Sequence, residues 1–134
     1  MPSRGSAVII AALFAAVLAA GCTGGPDRRE EKMKTEEKTV TVKNTEMFYR
    51  TRGNGPPVVF VHGNTGSSVW FSKVMDIPGH TIYAPDLPNF GNSGQIDTTD
   101  IDLYADYLKG WMDTLGLKNP VVLGHSLGGA VVIS

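Results

Sequence analysis

The stretch Val121-Val122-Leu123-Gly124-His125-Ser126-Leu127-Gly128-Gly129-Ala130-Val131-Val132-Ile133 changes from one kind of chain to another within a few residues. Val121 to Leu123 reads as a strand buried on both faces, and the apolar run after Gly129 reads as a helix. Between them stands G-x-S-x-G. A strand that turns into a helix in so little space bends so tightly that side chains at Gly124 and Gly128 would clash, and the strain leaves the Ser126 hydroxyl exposed at the tip. Such a turn presents a nucleophile. The competing role for Ser126, an ordinary N-cap of the helix, would need neither glycine.

Upstream, the same alternation of strand and helix repeats. Gly53-Asn54-Gly55-Pro56-Pro57 is a breaker cluster, and Val58-Val59-Phe60-Val61 after it is a continuous apolar run, as is Thr81-Ile82-Tyr83-Ala84. Ile101, Tyr104, Ala105, Leu108, Trp111, Met112 and Leu115 recur at the three-and-four spacing of one helix face. Asp100 is placed to cap that helix and Gly116 to end it. Thr39 to Lys43 and Glu46 to Arg52 alternate apolar and polar residues, which predicts an antiparallel pair at a sheet edge. Strand, helix and strand in succession imply right-handed crossovers, so the fold class is α/β with a mostly parallel sheet and flanking helices.

Three motifs sit in order at the ends of these strands: His62-Gly63-Asn64, then Asp86-Leu87-Pro88-Asn89-Phe90-Gly91-Asn92-Ser93, then the turn at Ser126. In this combination the chain resembles the α/β-hydrolase superfamily over about Thr39 to Ser134. The resemblance implies that Ser126 is the nucleophile, that the backbone N–H groups of Asn64 and Leu127 form an oxyanion hole, and that His62 and Gly63 shape the oxyanion loop. A tetrahedral intermediate needs such preorganised donors at about 2.7 to 3.1 Å from its negative oxygen. By the same resemblance Asp86 shapes the loop beside the pocket, with Asn89 standing where the family usually has glycine. Dehalogenase and epoxide-hydrolase relatives usually carry aspartate at the elbow, so Ser126 favours acyl transfer to an ester or small amide. Peptidase, C–C hydrolase and cofactor-free haloperoxidase chemistry stay open.

None of the three histidines is placed as a base for Ser126. His62 belongs to the oxyanion loop, His125 precedes the nucleophile inside the elbow, and His80 lies near the start of a strand, remote from the strand ends where α/β sites form. In the family an acid and a histidine follow the nucleophile, and only eight residues follow Ser126. The expectation is therefore a partial hydrolase domain over residues 39–134, the N-terminal portion of the fold, inactive by itself. Trp70, Phe71 and Trp111 are expected in the core or the pocket wall.

The chain begins differently. Arg4 precedes an unbroken apolar run from Ala7 to Ala20, and small residues lead into Cys22, the layout of an export signal over residues 1–21. Fourteen apolar residues fall short of the roughly 20 that span a bilayer as a helix. Leu18-Ala19-Ala20-Gly21-Cys22 resembles a bacterial lipobox, which implies lipid on Cys22 and a location on the extracytoplasmic side of a bacterial membrane, within the cell envelope. Residues 22–38 mix charges of both signs with two glycines and a proline, and read as the lipidated cysteine and a solvated tether.

Composition removes other classes. In a chain of 134 residues there is room for one domain. A net charge of −1, with scattered basic residues, leaves no footprint for nucleic acid. One cysteine permits no internal disulfide, and three separated histidines lack metal-ligand spacing, so neither metal nor cofactor is implied. The expected partners are a small ester or amide substrate and, through Cys22, a membrane. The alternative reading is a noncatalytic envelope lipoprotein that keeps half of the hydrolase fold.

Overall fold

The computed structural model describes residues 33–134. The export signal, Cys22 and most of the expected tether lie outside the described residues. Five strands, β1 (Glu36–Val42), β2 (Thr45–Gly53), β3 (Pro57–Val61), β4 (Thr81–Pro85) and β5 (Val121–Gly124), form one sheet in the order β1-β2-β4-β3-β5. β3 pairs in parallel with both β4 and β5, whereas β1–β2 and β2–β4 are antiparallel. The sheet is mixed: three parallel strands carry an antiparallel hairpin at one edge. β1 opens at Glu36, so Glu36, Glu37 and Lys38 belong to an edge strand and not to the tether. Their charges suit an edge that faces water and discourage pairing with another chain. Lys43 and Asn44 turn the hairpin, both at positive φ (45° and 67°), as a two-residue turn between twisted strands requires.

Alternation along the strands sorts side chains onto two faces. Met47, Tyr49, Val59 and Val61 join α1 (Ile101–Thr114) and α2 (Leu127–Ile133) in the main core. α1 forms where the spacing predicts it and buries Tyr104, Tyr107, Leu108 and Trp111. Asp100 caps it by accepting from the Asp102 N–H at 2.9 Å. Gly116 ends it at φ 66°, with the Leu117 N–H returning to the Met112 carbonyl at 3.1 Å.

On the other face, Val58, Ile82 and Ala84 pack with Met75, covered by the β3–β4 connection and its single 3₁₀ turn at Ser68–Phe71. Phe71 stacks on Phe60 at 5.1 Å between ring centroids. The connections leaving β3 and β5 thus run over opposite faces of the sheet. In α/β sheets, such divergence of adjacent parallel strands marks the end of the sheet, at the strand C-termini, where ligands bind.

Candidate active site

The register between β3 and β5 sets which residues meet at the strand ends. Val61 stands opposite Gly124, so His62 and His125 are the first residues beyond the sheet on neighbouring strands. The His125 N–H donates to the Val61 carbonyl at 2.9 Å and extends the ladder by one step. Ser126 follows at φ 54°, ψ −117°, a backbone region that a non-glycine residue occupies only under compulsion. The compulsion is visible on both sides. The Gly128 and Gly129 N–H groups donate to the His125 and Ser126 carbonyls at 2.9 and 2.8 Å and start α2 at once. A Cβ on Gly124 would collide with the Gly128 carbonyl, and one on Gly128 with the carbonyls of Val61 and His62. Ser126 is exposed, and its side chain makes no capping hydrogen bond, so the helix-cap role is not the one it plays.

The loop that follows β3 lies against this turn. A Cβ on Gly63 would sit 3.1 Å from Ser126 Cβ and 3.0 Å from the His125 carbonyl oxygen. The Gly66 N–H donates to the Gly63 carbonyl at 3.0 Å, which makes Asn64 and Thr65 the centre of a tight turn, with Thr65 at φ 60°. His62, Gly63, Asn64, Ser126 and Leu127 are therefore brought together at the ends of β3 and β5. Asn64 is exposed, and its side-chain oxygen accepts from the Thr65 N–H at 3.1 Å.

His62 is fully buried, and both ring nitrogens are committed. Nδ1 lies 2.8 Å from the Gly63 carbonyl, and Nε2 accepts the Leu87 N–H at 3.0 Å, an arrangement that requires the neutral ring protonated on Nδ1. Burial pushes its pKa below the ordinary histidine value, against the Gly63 hydrogen bond and the charge of Asp86, which pull upward. A neutral ring with no free nitrogen is a strut between two loops, not a base. His80 contacts the Pro78 carbonyl just before β4, at the other end of the sheet. His125 is exposed and stands edge-on to Trp70, at 5.7 Å between centroids. Trp111 is core, as expected, whereas Trp70 is half-exposed at the elbow.

Asp86 is buried and accepts from the Ser68 N–H at 2.6 Å and the Asn92 N–H at 2.8 Å, tying the β3–β4 connection to the loop after β4. Asn89, at the position where glycine is usual, has φ 71°; asparagine is among the few residues that tolerate this region. Its side chain adds bonds to the Ile96 N–H and the Thr98 carbonyl that glycine could not make. A concavity of about 930 Å³ lies elsewhere, along β1, β2 and β4, lined by Lys38, Tyr49 and Tyr83, and it contains none of the expected site residues.

A family described as the alpha/beta hydrolase fold matches residues 56–133, more than half of the chain. The chain belongs to the α/β-hydrolase family. The chain is 36% identical over 92 residues to a non-heme haloperoxidase of Rhodococcus erythropolis, covering 66% of the chain and 34% of that protein. It is 34% identical over 104 residues to a haloalkane dehalogenase of Sphingobium indicum, covering 72% and 35%. Among solved structures, a haloalkane dehalogenase of Bradyrhizobium elkani superposes with a TM-score of 0.69 at 31% identity, over 74% of the chain and 36% of that protein. The chain spans about a third of the length of these relatives.

Proposed function

We propose that this hydrolase chain carries the nucleophile and oxyanion hole of a serine hydrolase that cleaves an ester or small amide through an acyl-enzyme at Ser126. The observation that carries the reading is the backbone of Ser126, held at φ 54° with an exposed, uncapped hydroxyl against Gly63. A strained serine at the divergence of two parallel strands has no packing purpose of its own. In the proposed reaction Ser126 Oγ attacks the carbonyl carbon, and the carbonyl oxygen takes the negative charge and is met by the Asn64 and Leu127 N–H groups. The intermediate then expels the alcohol or amine, and water releases the acid. The hydroxyl attacks only when a base within about 2.6 to 3.2 Å takes its proton. His62, His80 and His125 are each engaged or placed otherwise, so the base and its acid partner come from other residues of the intact enzyme. Serine at the elbow favours ester or amide cleavage over displacement of halide, whatever the chemistry of the dehalogenase relatives.

The test is a serine-directed fluorophosphonate probe applied to the intact enzyme, with the labelled peptide located by mass spectrometry. Labelling at Ser126, and loss of activated-ester hydrolysis in Ser126→Ala with the melt unchanged, is the expected outcome. Turnover that survives Ser126→Ala assigns the nucleophile elsewhere and favours the noncatalytic role for this motif. The proposal extends to location: Cys22 carries lipid and holds the protein at the outer side of a bacterial membrane, with residues 23–35 as tether. Mass spectrometry of exported protein is expected to find an acylated N-terminal cysteine, and a Cys22→Ala protein that stays equally membrane-bound would refute it.

A further inference from the structure

The oxyanion loop has a support that the motifs do not announce. Arg50 projects from β2 on the face opposite α1, and its side chain is only 14% exposed. The guanidinium divides its donors: Nε and Nη2 hold the Glu37 carboxylate at 3.1 and 2.8 Å, while Nη1 donates to Ser68 Oγ at 2.6 Å. Ser68 has no exposure, and its own N–H is the donor that reaches Asp86 at 2.6 Å. Arg50 and Asp86 therefore grip the same residue from two sides, one through the side chain and one through the backbone. The loop from Gly63 to Ser68 is pinned at its start by His62 and at its end by Ser68, and the Asn64 N–H lies between the pins.

We propose that Arg50 is a positioning residue for the oxyanion hole, acting through Ser68 on the placement of the Asn64 N–H. The proposal rests on Ser126 being the nucleophile. Arginine suits the task because its planar fork serves two partners at fixed angles, which a lysine ammonium on a flexible stem cannot do. Glu37 is largely exposed and clamps the guanidinium from the solvent side, so the fork is held in place without a buried counter-ion. Removing the guanidinium leaves the Ser68 hydroxyl buried without this donor and frees the loop end to move. A displacement well under 1 Å is enough to weaken a hydrogen bond formed only in the transition state.

The experiment uses the intact enzyme and an activated ester, with Arg50→Met, Ser68→Ala and the double variant. Each single change is expected to lower kcat about tenfold with KM within about twofold, since ground-state binding does not use the hole. The double variant is expected to fall no further than either single one, because both remove the same link. Hydrogen exchange is expected to quicken at amides 63–68 and stay unchanged in 101–114. Glu37→Gln, which keeps an acceptor for the fork, is expected to leave kcat within twofold. If Arg50→Met does not fold, Ser68→Ala carries the test, because it deletes the link and leaves the Arg50–Glu37 pair. Losses that multiply in the double variant, or kcat unchanged in both single variants while Ser126→Ala abolishes turnover, would overturn the proposal. Survival of turnover in Ser126→Ala would overturn the nucleophile assignment instead, a different result from a different variant.

Discussion

Gly63→Ala is the smallest change that separates the geometry of the hole from the stability of the fold. Gly63 does not occupy the left-handed region, so alanine adopts the same backbone without strain, and the effect is purely steric. The added methyl would lie 3.0 Å from His125 Nδ1 and from the His125 carbonyl oxygen, and 3.1 Å from Ser126 Cβ. Comfortable contact needs about 3.5 Å, so the oxyanion loop and the elbow have to part by roughly half an ångström. The His125 carbonyl and, through its backbone, the Ser126 Cβ are held in place by α2 and by the bond to Val61, so the loop is the part that yields. Oxyanion donors work over a window of about 2.7 to 3.1 Å, and half an ångström carries the Asn64 N–H out of it. The full loss of such a donor costs about 3 to 4 kcal/mol, a factor of about 10² to 10³ in kcat. Overpacking of this size costs about 1 to 3 kcal/mol in stability, within reach of a folded variant. The assay is steady-state hydrolysis of an activated ester by the intact enzyme, with thermal unfolding in parallel. A variant that folds and keeps kcat within twofold of wild type would refute the placement of the hole.

Three further outcomes are expected. His62 is neutral in the fold because burial lowers its pKa, so the unfolded chain takes up the proton first, near pH 6.5. Its contribution is complete above that pH and is lost as pH falls from about 6.5 toward the depressed folded value. Urea midpoints at pH 7.5 and 5.5 should diverge less in His62→Gln than in wild type, and equal pH dependence would contradict the neutral strut. Trp111→Ala removes the largest fully buried side chain and should destabilise by about 3 to 5 kcal/mol; a loss under 1 kcal/mol by denaturant titration would mean α1 does not anchor the core. Ser126→Gly should melt above Ser126→Ala, since glycine accepts φ 54° and alanine keeps a strain of about 1 to 3 kcal/mol, and the reverse order would deny that the elbow is strained.

Local chemistry was legible wherever a residue type answers a backbone demand. Gly124 and Gly128 announce the tight turn, Asp100 and Gly116 the ends of α1, and the apolar runs at Val58, Thr81 and Val121 the parallel strands. What escaped depends on pairing between distant segments. β1 begins at Glu36 because Glu36, Glu37 and Lys38 find partners in Thr51, Arg50 and Tyr49, and a charged stretch shows no strand period before those partners are known. Asn89 looks like a defect beside the usual glycine, yet its φ and its two loop bonds make it a working substitute. Arg50 and Ser68 carry no motif. The available signal was the repetition of arginine at positions 50 and 52 of an alternating strand, which places two cations on one face of a sheet, where each needs an anchor: Arg50 finds Glu37 and Ser68, and Arg52 finds Asp76 at 2.8 Å.

The turn at Ser126 is also keyed to a strand other than its own. β3 is paired on both sides, and Val59 and Val61 are fully buried, so the loop that begins at His62 springs from a strand held along both edges. The His125 N–H on the Val61 carbonyl, the immediate start of α2, and the approach of Gly128 to Val61 and His62 all refer Ser126 to β3. A slip of one residue between β3 and β5 would reverse which face each β5 side chain meets and would part Gly63 from Ser126. The glycines at 63, 124 and 128 are thus one device: each is the absence of a side chain at a point where the turn at Ser126 is keyed to β3 and the loop that follows it.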